Sequence, residues 1–372
     1  MGSELKINSG PILLAPGVWK AEYAFLTPGV GKVVVWYRMN RKFKIAFITI
    51  ILVAAGLWGI GLYNAQRIYV EKQTRFMMDT YVTITAIGPK RIVSQAVDLA
   101  LKRMSEVDEK FSSFKPESQV YTFNHKNEPI TDPEVLGLIK VGLEVSKESG
   151  GAFDITVAPL LELWGFNSKT YYLPQEEEIK NCLNSVGYRH LLIQDGKLTK
   201  DNPATAIDLG GIAKGYALAQ AASVLKAQGV TSALVDAGGD IYTVGKKGEK
   251  LWRVGIKDPR GEGIVGYLDV SDLAVVGSGD YERFFVKDGK RYHHIFDPKT
   301  GYPTEGVVSV TIMYANPIIA QIWTKIPFVL GAAKGLEMLA RVPDLEAFII
   351  TSSGEKLYSA GLKLTLKDFK SR

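Results

Sequence analysis

One cysteine, Cys182, stands among 372 residues, which excludes an intramolecular disulfide framework and any cysteine-based zinc site. It leaves the compartment open, because an exported protein can do without cysteines. Histidine is scarce as well, with four copies. Internal repeats and low-complexity segments are missing, and the glycine turn that follows Ile207 departs in spacing from both the GxGxxG dinucleotide fingerprint and the P-loop. An excess of positive charge is missing from most of the chain. Of the net +6, residues 1–44 supply +5 through seven Lys/Arg against two Glu, so the rest carries about +1 and no electrostatic footprint for nucleic acid. The remaining composition is that of a globular protein long enough for one large domain or two smaller ones.

Residues 1–38 show no clean period and contain Pro11, Pro16 and Pro28. Met39 is followed by Asn40, Arg41, Lys42, Phe43 and Lys44, and then by nineteen uncharged residues from Ile45 to Tyr63, in the manner of a natural N-terminus before a membrane segment. Residues 1–38 therefore read as an upstream extension or a cytoplasmic tail. At 1.5 Å per residue the apolar run spans roughly 28 Å, close to the roughly 30 Å hydrocarbon core of a bilayer. Tyr63, Asn64, Gln66 and Arg67 follow directly, without the small residues of a signal cleavage site, so the run reads as an uncleaved anchor. Arg38, Arg41, Lys42 and Lys44 place its N-terminal side in the cytoplasm and the body of the protein outside. The division expected is an extension over 1–44, an anchor over 45–63, a linker over 64–74, a globular domain over 75–362 and a tail over 363–372.

Within that domain the stretch from Ile207 to Asp240 reads as a glycine turn feeding a helix, a buried strand and a diglycine turn. Asp208 is the expected N-cap, Leu218, Ala221, Ala222 and Leu225 share one helical face, and Gly229 stops the helix. A helix N-terminus with Lys214 beside it suits phosphate oxygens, and equally closes a loop. Upstream, Tyr81 to Ala86 alternate as a strand, Val93 to Phe111 read as a helix, and Asp132 or Thr131 caps a second one opened by Pro133. Downstream come a strand around Trp252–Ile256, another from Leu268 to Val276, and a hairpin about Asp288-Gly289 that is expected to deliver Tyr292, His293, His294 and Asp297 to one end of the sheet. A strand from Val307 to Tyr314, helix from Pro317 to about Ala340 and a closing strand pair follow. The fold class is α+β, with a mixed or antiparallel sheet and flanking helices.

The chemistry-bearing groups concentrate at His293, His294 and Asp297, where an imidazole can move protons and a carboxylate can orient it. Alternation along a strand lets one of the two histidines face a site, while a histidine bonded into a sheet edge is the bland alternative. Asp154, among apolar neighbours, reads either as part of a pocket wall or as a turn-forming residue of the core.

Seven segments in order, MDTYVTI (78–84), FSSFKPESQVYTFN (111–124), GAFDITVAPLLELWGF (151–166), IDLGGIAKGYAL (207–218), VDAGGDIYTVG (235–245), SGDYERFF (278–285) and HHIFDPKTGYP (293–303), together resemble the ApbE family of bacterial FAD:protein FMN transferases. The resemblance covers about Arg75 to Leu362. It implies the family's α+β fold and an exported, membrane-attached enzyme. Such an enzyme splits the FAD pyrophosphate, places FMN on a threonine hydroxyl of an acceptor protein and releases AMP. It further implies that Met78, Phe114, Ala152, Phe153, Asp154, Asp208, Lys214 and Ile295 line the FAD site. His294 is the candidate for proton handling, on chemical grounds. The acceptor would be a protein of a membrane redox complex.

In the family, magnesium is held by an Asp, by a Thr four residues later and by a backbone carbonyl that falls here at Gly211. Aligned on Phe328-Val329-Leu330-Gly331, the two side-chain positions are Gln321 and Lys325. A neutral amide is a poor magnesium ligand and an ammonium is none. Gly277 and Asp236 stand where Thr and Asn are usual, and Pro327 interrupts a helix. Either the transferase holds its metal differently, with Asp280 or Asp297 as ligand or Lys325 supplying part of the charge, or the chain is an FAD-binding pseudoenzyme or redox-complex subunit.

Overall fold

The protein is described here by a computed structural model, which covers residues 19–25 and 34–365. The chain divides at Arg67/Ile68 into two units. In the first, Trp19–Phe25 and Val34–Met39 pair as an antiparallel ribbon, where the sequence shows no clean period. The apolar run lies within helix α1 (Arg41–Gln66), whose stretch Arg41–Gly59 is long and apolar enough to cross a membrane and has none of its surface buried. The reading of residues 1–18, and of the tail beyond Thr365, falls outside the described residues.

The second unit is built on one eight-stranded sheet: β1 (Ile68–Met77), β2 (Thr80–Pro89), β3 (Ala233–Ala237), β4 (Asp240–Val244), β5 (Ala274–Gly279), β6 (Val307–Tyr314), β7 (Glu346–Thr351) and β8 (Lys356–Tyr358). The strands neighbour one another in the order in which the chain makes them, and every pairing is antiparallel. Most of the stretch read as a linker, from Ile68 onward, is β1, paired with β2 along its whole length.

Alternation along the strands separates two cores. Val82, Ile84, Val235, Val276 and Ile349 face a layer of helices, while Ile87, Leu234, Ile241, Val275 and Phe348 face a ribbon made by Trp252–Lys257 and Ile264–Val270. In the helical layer, α2 (Lys90–Lys110) packs on α4 (Ala213–Ala227). Leu218, Ala221, Ala222 and Leu225 are all buried there. The intervening α3 (Pro133–Glu148) starts at Asp132, whose carboxylate accepts from Glu134 N at 2.9 Å and Val135 N at 3.2 Å. A third cluster gathers Leu160, Trp164, Phe166, Ile179 and Phe296.

Four expectations change. Asp208 does not cap α4: its carboxylate accepts from Gly210 N at 2.9 Å and closes a separate turn, and the helix begins at Ala213 after Ile212, which makes no side-chain cap. The strand expected over Leu268–Val276 is two, because Asp272 takes φ +54 and turns the chain between the ribbon and β5. The Asp288-Gly289 hairpin has positive φ at both turn residues (52 and 74), as a type I′ turn requires. Its strands Phe284–Lys287 and Lys290–His293 form their own ribbon instead of ending the main sheet. Finally, Pro317 to Ala340 is three short helices, α5 (Pro317–Trp323), α6 (Ile326–Leu330) and α7 (Ala332–Leu339), with Pro327 in the first turn of α6, where its missing N–H costs nothing.

Candidate active site

The antiparallel order brings three chain reversals to one end of the sheet: Met78-Asp79 between β1 and β2, Gly238-Gly239 between β3 and β4, and the end of β5 at Gly279. Gly238 sits at φ +67 where a Cβ would fall 2.2 Å from Thr80 Oγ1, so only glycine lets the two turns touch. Against these turns the chain lays residues 111–114, 152–154, 208–214, 294–296 and the α5–α6 junction, enclosing a cavity of about 1100 Å³.

The residues that the resemblance places at the flavin and metal sites all line that cavity, and so does His294: Met78, Phe114, Ala152, Phe153, Asp154, Asp208, Gly211, Lys214, Ile295, Gln321 and Lys325. Their settings differ. Phe114 is 61% exposed and offers an open ring face. Asp154 is buried and fully used: it accepts from Thr156 N at 2.8 Å, Thr156 Oγ1 at 2.6 Å and Tyr188 N at 2.7 Å. Both readings of it hold, since it is a turn-forming carboxylate whose segment forms cavity wall. Burial pushes its carboxyl up, against the pull of those hydrogen bonds.

The two adjacent histidines part as alternation requires. His293 is buried, with Nε2 2.7 Å from Thr304 O and Nδ1 accepting from Ile295 N at 3.2 Å. His294 faces the cavity with Nδ1 3.2 Å from Arg283 O. A carbonyl accepts only, so Nδ1 carries the proton and Nε2 keeps its lone pair. Burial and the Arg283 charge pull His294 down to about 3, which leaves it neutral at physiological pH. Asp297 is not part of the lining; it accepts from Lys299 N at 2.9 Å and shapes a turn.

Positive charge gathers on the glycine-turn side. Lys214 Nζ lies 2.5 Å from Asp240 Oδ2, and although burial lowers its pKa the neighbouring carboxylates Asp240, Glu282 and Asp236 raise it more. A Cβ at Gly211 would fall 3.9 Å from Lys325 Cε, so that side chain lies along the turn. Its Nζ donates to Gln321 O and to Thr324 Oγ1, both at 3.0 Å. Burial pulls Lys325 down to about 7, with Asp240 raising it and Lys214 lowering it. Burial likewise pushes the Asp208 carboxyl up, against Gly210 N, Arg283 and Lys325.

The chain belongs to the ApbE family. The family pattern matches residues 78–349, from the first cavity turn into β7. A FAD:protein FMN transferase of Klebsiella pneumoniae is 32% identical over 67% of this chain and 80% of its own length. One of Treponema pallidum is 34% identical over 63% of this chain and 70% of its own. The crystal structure of the ApbE protein of Thermotoga maritima superposes with a TM-score of 0.75 at 36% identity, covering 81% of this chain and all of that one. The α+β fold expected from the resemblance is the fold of these relatives.

The metal centre implied by the ApbE family does not fit the donors present. Gln321 is 1% exposed and its amide is already used at both ends, Oε1 accepting from Gly215 N at 2.6 Å and Nε2 donating to Gly210 O at 3.2 Å. Lys325 adds an ammonium beside the same turn. Asp280 offers no replacement, because Arg260 grips both its oxygens at 2.8 and 2.5 Å and it does not line the cavity. Among the described residues no three His, Cys, Asp or Glu are grouped to hold a metal.

Arg283 escaped the sequence reading. It lines the cavity, donates to Phe166 O at 2.8 Å and acts on both Asp208 and His294. Its signal was its place in SGDYERFF, where it looks like an ordinary exposed strand residue. Thr324 and Ser278, joined at 2.7 Å, were missed because neither carries a charge.

Proposed function

We propose that this chain is a membrane-anchored FAD:protein FMN transferase. The observation that carries the reading is one cavity lined by residues from all seven motif segments, with Lys214, Lys325 and Arg283 around the glycine turn and apolar and aromatic side chains elsewhere. A dianionic pyrophosphate between two flat rings needs that division of polar and apolar wall. In the proposed reaction the hydroxyl oxygen of an acceptor threonine attacks the FMN phosphorus. The bond from that phosphorus to the bridging oxygen breaks, AMP leaves with that oxygen, and the hydroxyl proton passes to Nε2 of His294. Burial and then the charge of Arg283 depress His294, and a bound diphosphate would oppose the Arg283 charge and so make the imidazole a better base. Met78, Phe114, Ala152, Phe153 and Ile295 would contact the flavin nucleotide, and Asp208 would hold the turn.

Helix α1 would anchor the chain with Arg38, Arg41, Lys42 and Lys44 on the cytoplasmic side, leaving the cavity to acceptor proteins outside, such as subunits of a membrane redox complex. The occupancy of the metal position by Gln321 and Lys325 favours a second reading, an FAD-binding subunit without turnover. Incubating the full chain in detergent with FAD and a threonine-bearing acceptor domain separates them. AMP release matched by covalent flavin on the acceptor, read by mass, is the expected result; bound FAD without AMP would leave the second reading.

A further inference from the structure

In the ApbE family the turn after Asp208 and the segment before Phe328 are joined through a cation, and in this chain the same two segments are joined by side chains. The Gln321 amide spans them, its Oε1 accepting a hydrogen bond from Gly215 N and its Nε2 donating one to Gly210 O. An aspartate could accept from Gly215 N but has no proton for Gly210 O, and two oxygens would then face each other unless a cation lay between them. Glutamine removes that need. Four residues on, where a neutral threonine would stand, the Lys325 ammonium lies against Gly211. It is oriented by Gln321 O and by Thr324 Oγ1, which is itself fixed by donating to Gln321 O at 2.7 Å and lies 2.7 Å from Ser278 Oγ. Thr324 is fully buried, so this support is rigid. Two of the three ammonium protons are spent on it, and among the described residues the third has no partner.

We propose that Gln321 and Lys325 together replace the divalent cation, so that this chain holds the diphosphate of its nucleotide on the Lys325 ammonium and binds it without metal. The inference rests on the FAD reading of the cavity, and it changes what kind of site that cavity is. One fixed charge with a single directed proton grips an anion more weakly than a metal that bridges two oxygens, and it is indifferent to chelators.

The test is FAD titration of the full chain in detergent, in EDTA and in magnesium, with inorganic pyrophosphate and riboflavin as separate probes. FAD affinity in EDTA should lie within about twofold of that in magnesium. Lys325→Met should weaken FAD and pyrophosphate about 10- to 100-fold, the worth of a charge-assisted hydrogen bond, and Lys325→Arg should restore most of it. Riboflavin, which has no phosphate, should bind Lys325→Met as it binds the parent, which shows that the cavity is intact. FAD binding that appears only with magnesium, or equal binding by Lys325→Met, would overturn the proposal while leaving the flavin reading in place. Pyrophosphate bound in EDTA with no affinity for FAD would uphold the anion seat and overturn the flavin reading.

Discussion

His293 and His294 are adjacent and have opposite settings. One is bonded at both nitrogens to backbone and the other keeps Nε2 for the cavity. His294→Gln preserves a polar side chain of similar size but cannot take up a proton. FAD affinity should change by less than about threefold while transfer falls about 10² to 10⁴-fold, the usual worth of a general base. Unchanged turnover in single-turnover flavinylation would remove His294 from the mechanism. Strand alternation made this division legible from sequence. The identity of Lys325's neighbours was not legible, because Gln321 meets Gly210 and Gly215 across more than a hundred residues and only the folded chain brings them together. Asp208 shows a different limit. A carboxylate before a helix suggests a cap, yet four residues of turn separate it from Ala213, and it accepts from Gly210 N instead.

At the level of elements, the three long helices of the second unit are tied by one carboxylate. Glu134 in the first turn of α3 takes Lys110 of α2 at 2.8 Å, the Tyr216 hydroxyl of α4 at 2.7 Å, and Arg103 of α2. Burial alone would raise the Glu134 pKa, but these partners bring it below the ordinary carboxylate value, and the same holds for Asp132 beside Lys110. A carboxylate whose folded pKa is depressed contributes stability that is complete above the unfolded pKa of about 4.3 and is lost as pH falls through the folded value. Tyr216, raised by burial and by Glu134 to about 12, contributes stability that holds below about 10 and fades as pH climbs through 12. Thermal unfolding followed from pH 2 to 8 should therefore show an acid limb that flattens in Glu134→Gln, with a loss of about 1–3 kcal/mol at neutral pH. An unchanged limb would assign the acid sensitivity elsewhere. The periodic helices and the Asp288-Gly289 hairpin were readable because burial and turn chemistry agree locally. The helices Gln119–Lys126 and Glu176–Leu183 were not, since each is two turns long and buries two residues or fewer.

Across the whole molecule, the sheet follows chain order from β1 to β8, so the unit from Ile68 onward begins at an edge strand and the cavity motifs accumulate at one sheet end. Every strand of the eight-stranded sheet and every cavity residue belongs to the unit from Ile68 onward, whereas the apolar helix belongs to the other. Membrane attachment and nucleotide binding should therefore separate cleanly. The full chain should stay in the membrane pellet after an alkaline wash, at the length set by an uncleaved helix. A chain starting at Ile68 should remain in the supernatant and bind FAD with affinity within about twofold of the parent, because no cavity-lining residue precedes Phe76. Transfer to a membrane-embedded acceptor should fall in the shortened chain while transfer to a free acceptor domain does not, since tethering raises only the effective concentration of partners on the same surface. A full chain recovered from the wash supernatant and shortened near Tyr63 would replace the anchor with a processed leader. Loss of FAD binding in the shortened chain would mean that the two units are not independent.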